Sequence, residues 1–248
     1  MTDGTFVDQL QKAMAAPKVV IVEGKERLLV PHPWTDCTPK PPVALPLQVG
    51  TLTGFVDYLK SNVDELVLDT LLVHVKDPNT VELRAKIEGE DMLFRRQTYL
   101  IASTEMVGGK SFFGQYLDAE SFFVWLQSGF VATPELLEIL TLIASTRDSK
   151  VLETTDDGVA QKVQVAMGVA FVGQKAVPNP VTLAPFRTFR EVEQPASLFV
   201  LRLRSGKEGE RPSCALFESD GGYWRLDAIL RIAAYLRGKL AGLPMVLG

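Results

Sequence analysis

Three side chains able to ligate a metal or join nucleophilic chemistry, His32, Asp36 and Cys37, fall within six positions of "LLVPHPWTDCTPKPP", residues 28–42. A structural zinc site takes four N or S ligands, and a catalytic one takes three plus water. Here there are two such ligands and a carboxylate, with no CxxC pair and no HxxxH. A Cys–His nucleophile pair must come within hydrogen-bond reach. Prolines at 31, 33, 39, 41, 42 and 46 instead hold φ near −65° and remove backbone donors. We therefore read 31–46 as an extended, Pro-stiffened connector anchored by Trp34 and Leu45, and expect no metal and no cofactor. The other histidine, His74, falls in the strand-like "LLVHVK", at a packed or edge position.

A second stretch, "TEMVGGKSFFG", ends in Gly109-Lys110-Ser111 like the tail of a phosphate-binding loop. The full motif needs glycine five positions before Gly109, where Thr104 stands, and a helix opening at the lysine. "SFFGQYLD" contains Gly114 and reads as loop. Gly109, Lys110 and Ser111 are thus candidates for anion contact without hydrolysis. The acids of "EGED" (88–91) and "TTDDG" (154–158) cluster in turns, where carboxylates are usually solvated. The sequence holds no GxSxG elbow and no HExxH. These patterns point away from an enzyme.

Charge and aromatic residues suggest contact surfaces. The formal net charge is −4, which argues against broad adhesion to nucleic acid or anionic membrane. From Arg187 to Gly248, however, ten Lys or Arg face seven Asp or Glu. Arg202, Arg204, Arg211, Arg225 and Arg231 are the candidate nucleic-acid contacts there, with a solvated basic face as the plainer reading. "SFFGQYLDAESFFVWLQSGF" packs seven aromatic residues into twenty positions. Phe112, Phe113, Tyr116 and Trp125 are candidate subunit contacts, the alternative being a core helix with a packed loop.

The elements that must position these groups read as α+β. Thr51 caps a helix in "TLTGFVDYLKSN" with Leu52, Phe55 and Leu59 on one face. In "TVELRAKIE", Val81, Leu83, Ala85 and Ile87 alternate with charged residues, predicting one dry and one wet sheet face. "DPNT" turns it back onto "LVLDTLLVHVK", and "MLFRRQTYLIAS" supplies a third strand. Asp118 caps a helix that stops at Gly129; Thr133 and Pro134 open the next. "VLETTDDGVAQKVQVAM", "KVVIVEGKERLLV" and the pair "ASLFVLRLR"/"SCALFES" read as hairpins. A C-terminal helix "WRLDAILRIAAYLRGKL" carries Leu226, Ile229, Ala233, Leu236 and Leu240 as its apolar stripe. An N-terminal helix with Phe6, Leu10, Ala13 and Met14 ends at Pro17. Strands come in hairpin runs, so antiparallel sheets with several amphipathic helices are expected in one domain over 1–248, with a subdivision near 147–150 as the alternative.

At 248 residues, 46% hydrophobic and 23% charged, the chain has the make-up of a folded domain able to bury a core. Two cysteines make no disulfide framework, and no segment reads as a secretory signal or a membrane span. A cytoplasmic setting without membrane contact is the expectation.

"TLTGFVDYLKSN", "LDAESFFVWLQSGF" leading into "TPELLEILTLIAST", and "ASLFVLRLR" before the final helix and "LPMVLG" together resemble the YfdQ-like family of phage and prophage proteins, whose function is unknown. The resemblance spans roughly residues 50 to 248. It implies a phage-encoded protein in the cytoplasm of an infected bacterium and no transferable catalytic residues; the partners expected are further copies of the chain, with a phage or host protein or nucleic acid as alternatives. The function expected is a non-enzymatic accessory protein that binds and self-associates. The alternatives are a nucleic-acid-binding helper in replication or recombination, or an inhibitor of host defence that grips a protein or a nucleotide signal.

Overall fold

The computed structural model describes residues 17–22, 25–30, 35–36, 45–87, 96–105, 112–147, 151–156, 161–167, 170–176, 178–204, 212–241 and 244–248. The chain forms two compact units, Met1–Ala44 and Leu45–Gly248. The division falls inside the proline-rich stretch.

In the first unit β1 (Lys18–Val22) and β2 (Lys25–Val30) pair antiparallel, as the hairpin reading expects. Thr35–Asp36 form β3 on the far side of β2, so part of the connector is sheet and not irregular chain. Leu45, expected as an anchor, is 92% exposed. His32, Trp34, Cys37 and the N-terminal helix reading lie outside the described residues.

The second unit is α+β. Its first layer is a five-stranded sheet in the order β15-β5-β6-β7-β4. These strands are Met245–Leu247, Leu71–Asp77, Thr80–Ala85, Thr98–Ser103 and Leu47–Val49. The central three are antiparallel and the two edges parallel. The tight β5–β6 turn forms because the Asp77 carboxylate accepts from the Asn79 amide at 2.8 Å. Helices α1 (Leu52–Ser61) and α4 (Trp224–Leu240) cover one face, meeting Val73, Val81 and Leu83 in a shared core. The Thr51 hydroxyl accepts from Gly54 N at 3.0 Å and starts α1.

Two expectations fail in this layer. The wet face of β6 is not wholly wet: Glu82 is 5% exposed, with its carboxylate paired to Arg84 and, at 3.3 Å, to Lys76. Ile87 lies beyond the strand and is exposed. The stripe of α4 is also rotated. Trp224, Ala228, Ile232, Ala233, Leu236 and Leu240 are buried, whereas Leu226 is 52% exposed and Ile229 only partly covered. Small Ala228 and Ala233 let the helix sit close to its neighbours, and Trp224 is drawn under the Arg187 guanidinium, 4.0 Å above its ring.

The second layer is the antiparallel sheet β12-β13-β14-β8: Val181–Leu183, Ser197–Arg204, Ser213–Glu218 and Leu117–Asp118. Helices α2 (Ala119–Gly129) and α3 (Pro134–Arg147) pack on its inner face through Phe122, Leu126, Leu136 and Ile139. Both starts match the sequence reading. The Asp118 carboxylate accepts from Glu120 N and Ser121 N at 3.1 Å, and Thr133 Oγ1 from Leu136 N at 3.2 Å. A third sheet, β11-β10-β9, is a meander of Val151–Asp156, Gln161–Met167 and Ala170–Ala176. Among the described residues no helix is long and apolar enough to cross a membrane.

Candidate functional site

The two layers are tied by residues 184–197, which have little regular structure and therefore need other partners for their backbone polar groups. Gln194 supplies several: its Oε1 accepts from Arg187 N at 3.0 Å and Thr188 N at 3.2 Å, while its Nε2 donates to Phe189 O at 2.9 Å. Thr188 Oγ1 donates to Pro78 O, and Asn79 Nδ2 donates to Arg187 O at 3.1 Å. Phe189 and Val192 plug into the core under α4. The segment is thus a rigid bridge.

One side of this bridge forms an open cleft of about 590 Å³. Its first wall is the α2–α3 link, held by Val131 N donating to Ala184 O at 2.9 Å and Phe186 N to Gly129 O at 2.8 Å. Val131, Ala184, Phe186, Val192 and Ala196 make the lining mainly apolar. Two guanidinium groups enter it. Arg231, on α4, is neutralised by Glu193 at 2.6 Å and Asp227 at 3.0 Å, and the Asp227 hydrogen bond chiefly raises its pKa. Arg190 differs: it lies 3.6 Å over the Phe186 ring and has no carboxylate partner among the described residues. Apolar walls with few polar groups at this volume suit a small organic molecule.

Behind the cleft lies a buried polar knot. Arg187, with no side-chain exposure, donates to Glu218 Oε1 at 2.5 Å, to Ser197 Oγ, and to Pro195 O at 3.4 Å. Ser197 Oγ donates to Asp220 Oδ2 at 2.5 Å. Burial pushes the Arg187 pKa down to about 10 despite Glu218 and Asp220. Burial also raises the Asp220 carboxyl, but the Ser197 hydroxyl, the Gly222 amide and Arg187 outweigh it and hold it below its ordinary value. Ser197 is 4% exposed, so this knot is a brace. Cys214 is fully buried, and burial, then Asp118, pushes its thiol up to about 12.

The four candidate arginines among the described residues stand on different elements. Arg202 and Arg204 project from β13, Arg225 lies 5.0 Å from the Trp224 ring, and Arg231 is in the cleft. Arg211, like Gly109, Lys110 and Ser111, lies outside the described residues. The aromatic run largely packs on its own unit. Trp125 meets Phe112 at 5.8 Å, Phe113 at 5.3 Å and Phe130 at 5.2 Å, while Phe113 stacks on Phe199 at 5.2 Å. Tyr116, beside Phe217, is the most exposed of the four candidates, and even it is more than half covered. His74 sits in β5 opposite Glu82. Among the described residues no group of three His, Cys, Asp or Glu side chains is placed to hold a metal.

The chain matches no family model, no curated protein and no solved structure.

Of the cleft residues the sequence reading named only Arg231, and as a nucleic-acid contact; Val131, Phe186 and Arg190 escaped it because they share no motif. An arginine near a phenylalanine in a Pro-flanked loop was the available signal, and it is a weak one.

Proposed function

We propose a phage- or prophage-encoded accessory protein of the infected bacterial cytoplasm that acts by binding, self-associates, and takes a small organic anion in the Phe186–Arg190 cleft. One observation carries the ligand reading. Arg231 is engaged by Glu193 and Asp227, so Arg190 is the guanidinium with attraction left for an incoming carboxylate, sulfonate or phosphate. The apolar lining favours a ligand with an aliphatic or aromatic body. Burial of Ser197 and Cys214 supports contact and not bond breaking. The resemblance in segment order supports the phage setting. Self-association is supported by the start of α4, where Tyr223, just before the helix, and Leu226 and Leu230 within it are exposed at helical spacing.

Titration with 8-anilinonaphthalene-1-sulfonate, an aromatic anion, tests the cleft. Saturable binding should weaken about tenfold in Arg190→Gln, the scale of one charge-assisted hydrogen bond. Equal affinity in the variant, with unchanged thermal unfolding, would remove the reading. Light scattering should give a mass above the 27.3 kDa chain and lose it in Leu226→Glu/Leu230→Glu; a monomer at all concentrations overturns self-association.

A further inference from the structure

The outer face of the four-stranded sheet carries a second binding surface, away from the cleft. Along β13, Phe199, Leu201 and Leu203 face the α2–α3 core, so Leu198, Val200, Arg202 and Arg204 face outward. The register places Phe217 beside Val200, Ala215 beside Arg202, and Ser213 beside Arg204. Tyr116 immediately precedes β8, where Leu117 pairs with Cys214, and so comes alongside Ala215. Ala215 is small, and its neighbours cover it completely.

The result is a continuous row. The Tyr116 and Phe217 rings lie 6.3 Å apart at 70°, and the Arg204 guanidinium is 4.0 Å over Tyr116. Tyr116 is 37% and Phe217 36% exposed, with exposed Leu198 beyond them. Gly114, at φ +76°, seats the loop against Phe217: a Cβ there would lie 3.8 Å from the ring, and its amide donates to Leu216 O at 2.8 Å. Arg204 has no carboxylate partner among the described residues. At the same edge the Asp118 carboxylate is occupied by the Glu120 and Ser121 amides, and the Ser121 hydrogen bonds chiefly lower its pKa.

We propose that this face binds single-stranded nucleic acid. Rings on a sheet stack with unpaired bases, guanidinium planes add to the stack, and arginines at the same surface meet phosphates. A duplex keeps its base faces hidden and would use only the charges. The overall charge of −4 confines attraction to this local patch, so binding is modest and steeply salt-dependent. Sequence reading scattered five arginines as nucleic-acid contacts and assigned Tyr116 to a subunit interface. The fold instead sets Arg204 on Tyr116 and Tyr116 beside Phe217, with Arg202 on the same strand face.

The experiment is fluorescence anisotropy of a fluorescein-labelled oligothymidine of about 12 nucleotides, within the site size of single-strand-binding folds, titrated with the full chain at low salt. Saturable binding is expected, with Tyr116→Ala and Phe217→Ala each weakening it about five- to tenfold, the scale of one lost base stack. Tyr116→Phe should restore it. Arg204→Ala should weaken binding and reduce the salt slope by about one. An unlabelled duplex should compete poorly. No binding at low salt overturns the proposal, as does binding indifferent to both ring removals or equal competition by duplex. If Phe217→Ala unfolds, the Tyr116→Ala and Tyr116→Phe pair decides alone.

Discussion

Replacing Arg187 tests the physical account of the bridge most directly. Its guanidinium is wholly buried, so Arg187→Ala removes the partner of Glu218, the donor to Ser197 and the stack on Trp224 together. Breaking a buried pair costs about 3–5 kcal/mol, because the remaining charge is left uncompensated. Glu218 keeps 29% side-chain exposure and can turn partly to water, which places the charge loss near the lower end. The cavity adds about 1 kcal/mol or more, for a total of about 4 kcal/mol. Arg187→Met separates these effects. It fills most of the space over Trp224 and relieves the burial that pushes the arginine pKa down to about 10, so it should cost only about 2 kcal/mol. Glu218→Gln should cost more than the surface norm, since it strands the buried charge, and the double variant should cost less than the sum by at least about 1 kcal/mol. Urea unfolding followed by far-ultraviolet circular dichroism measures all four without relying on tryptophan fluorescence. An alanine variant within about 1 kcal/mol of the parent at unchanged m refutes the reasoning. So does a methionine variant less stable than the alanine one.

Further outcomes follow from other contacts. Asp118→Ala should destabilise by about 1 kcal/mol through loss of the α2 cap, whereas Asp118→Asn should cost a few tenths, measured by the same denaturation. The Asp118 and Asp220 carboxyls are held below their ordinary values, so each contributes stability above the unfolded-state pKa that is lost as pH falls through the lower folded one. Thermal unfolding should therefore decline on acidification below about pH 4, and less so in Asp118→Asn. Tyr58 runs the other way: burial, then its 2.5 Å hydrogen bond to Asp64, pushes its pKa up to about 12. Its contribution is complete below the unfolded value near 10 and lost as pH rises through 12, and Tyr58→Phe should flatten that alkaline decline. In a Cys37→Ser background, Cys214 should react with a thiol reagent only after denaturant is added; fast native labelling would contradict its burial and raised pKa.

Sequence determined what depends on near neighbours. Thr51, Asp118 and Thr133 each cap a helix by a bond to an amide two or three residues ahead, and the Asp77 turn closes over two. Such bonds are written in spacing, so three helix starts and the main hairpins were legible before any fold. Tertiary structure decided what depends on distant partners. Thr188 reaches Pro78 across 110 positions and Thr53 N finds Glu191 Oε1 across 138, contacts no local pattern encodes. The stripe that α4 buries was likewise set by the surface it met: Leu226 had the right period but Trp224 found the arginine. The same holds for the two proposed sites. Arg190 and Arg231 line one cleft, and Arg204 meets Tyr116 across a sheet, because folding cancels sequence separation and leaves only register and burial to choose neighbours.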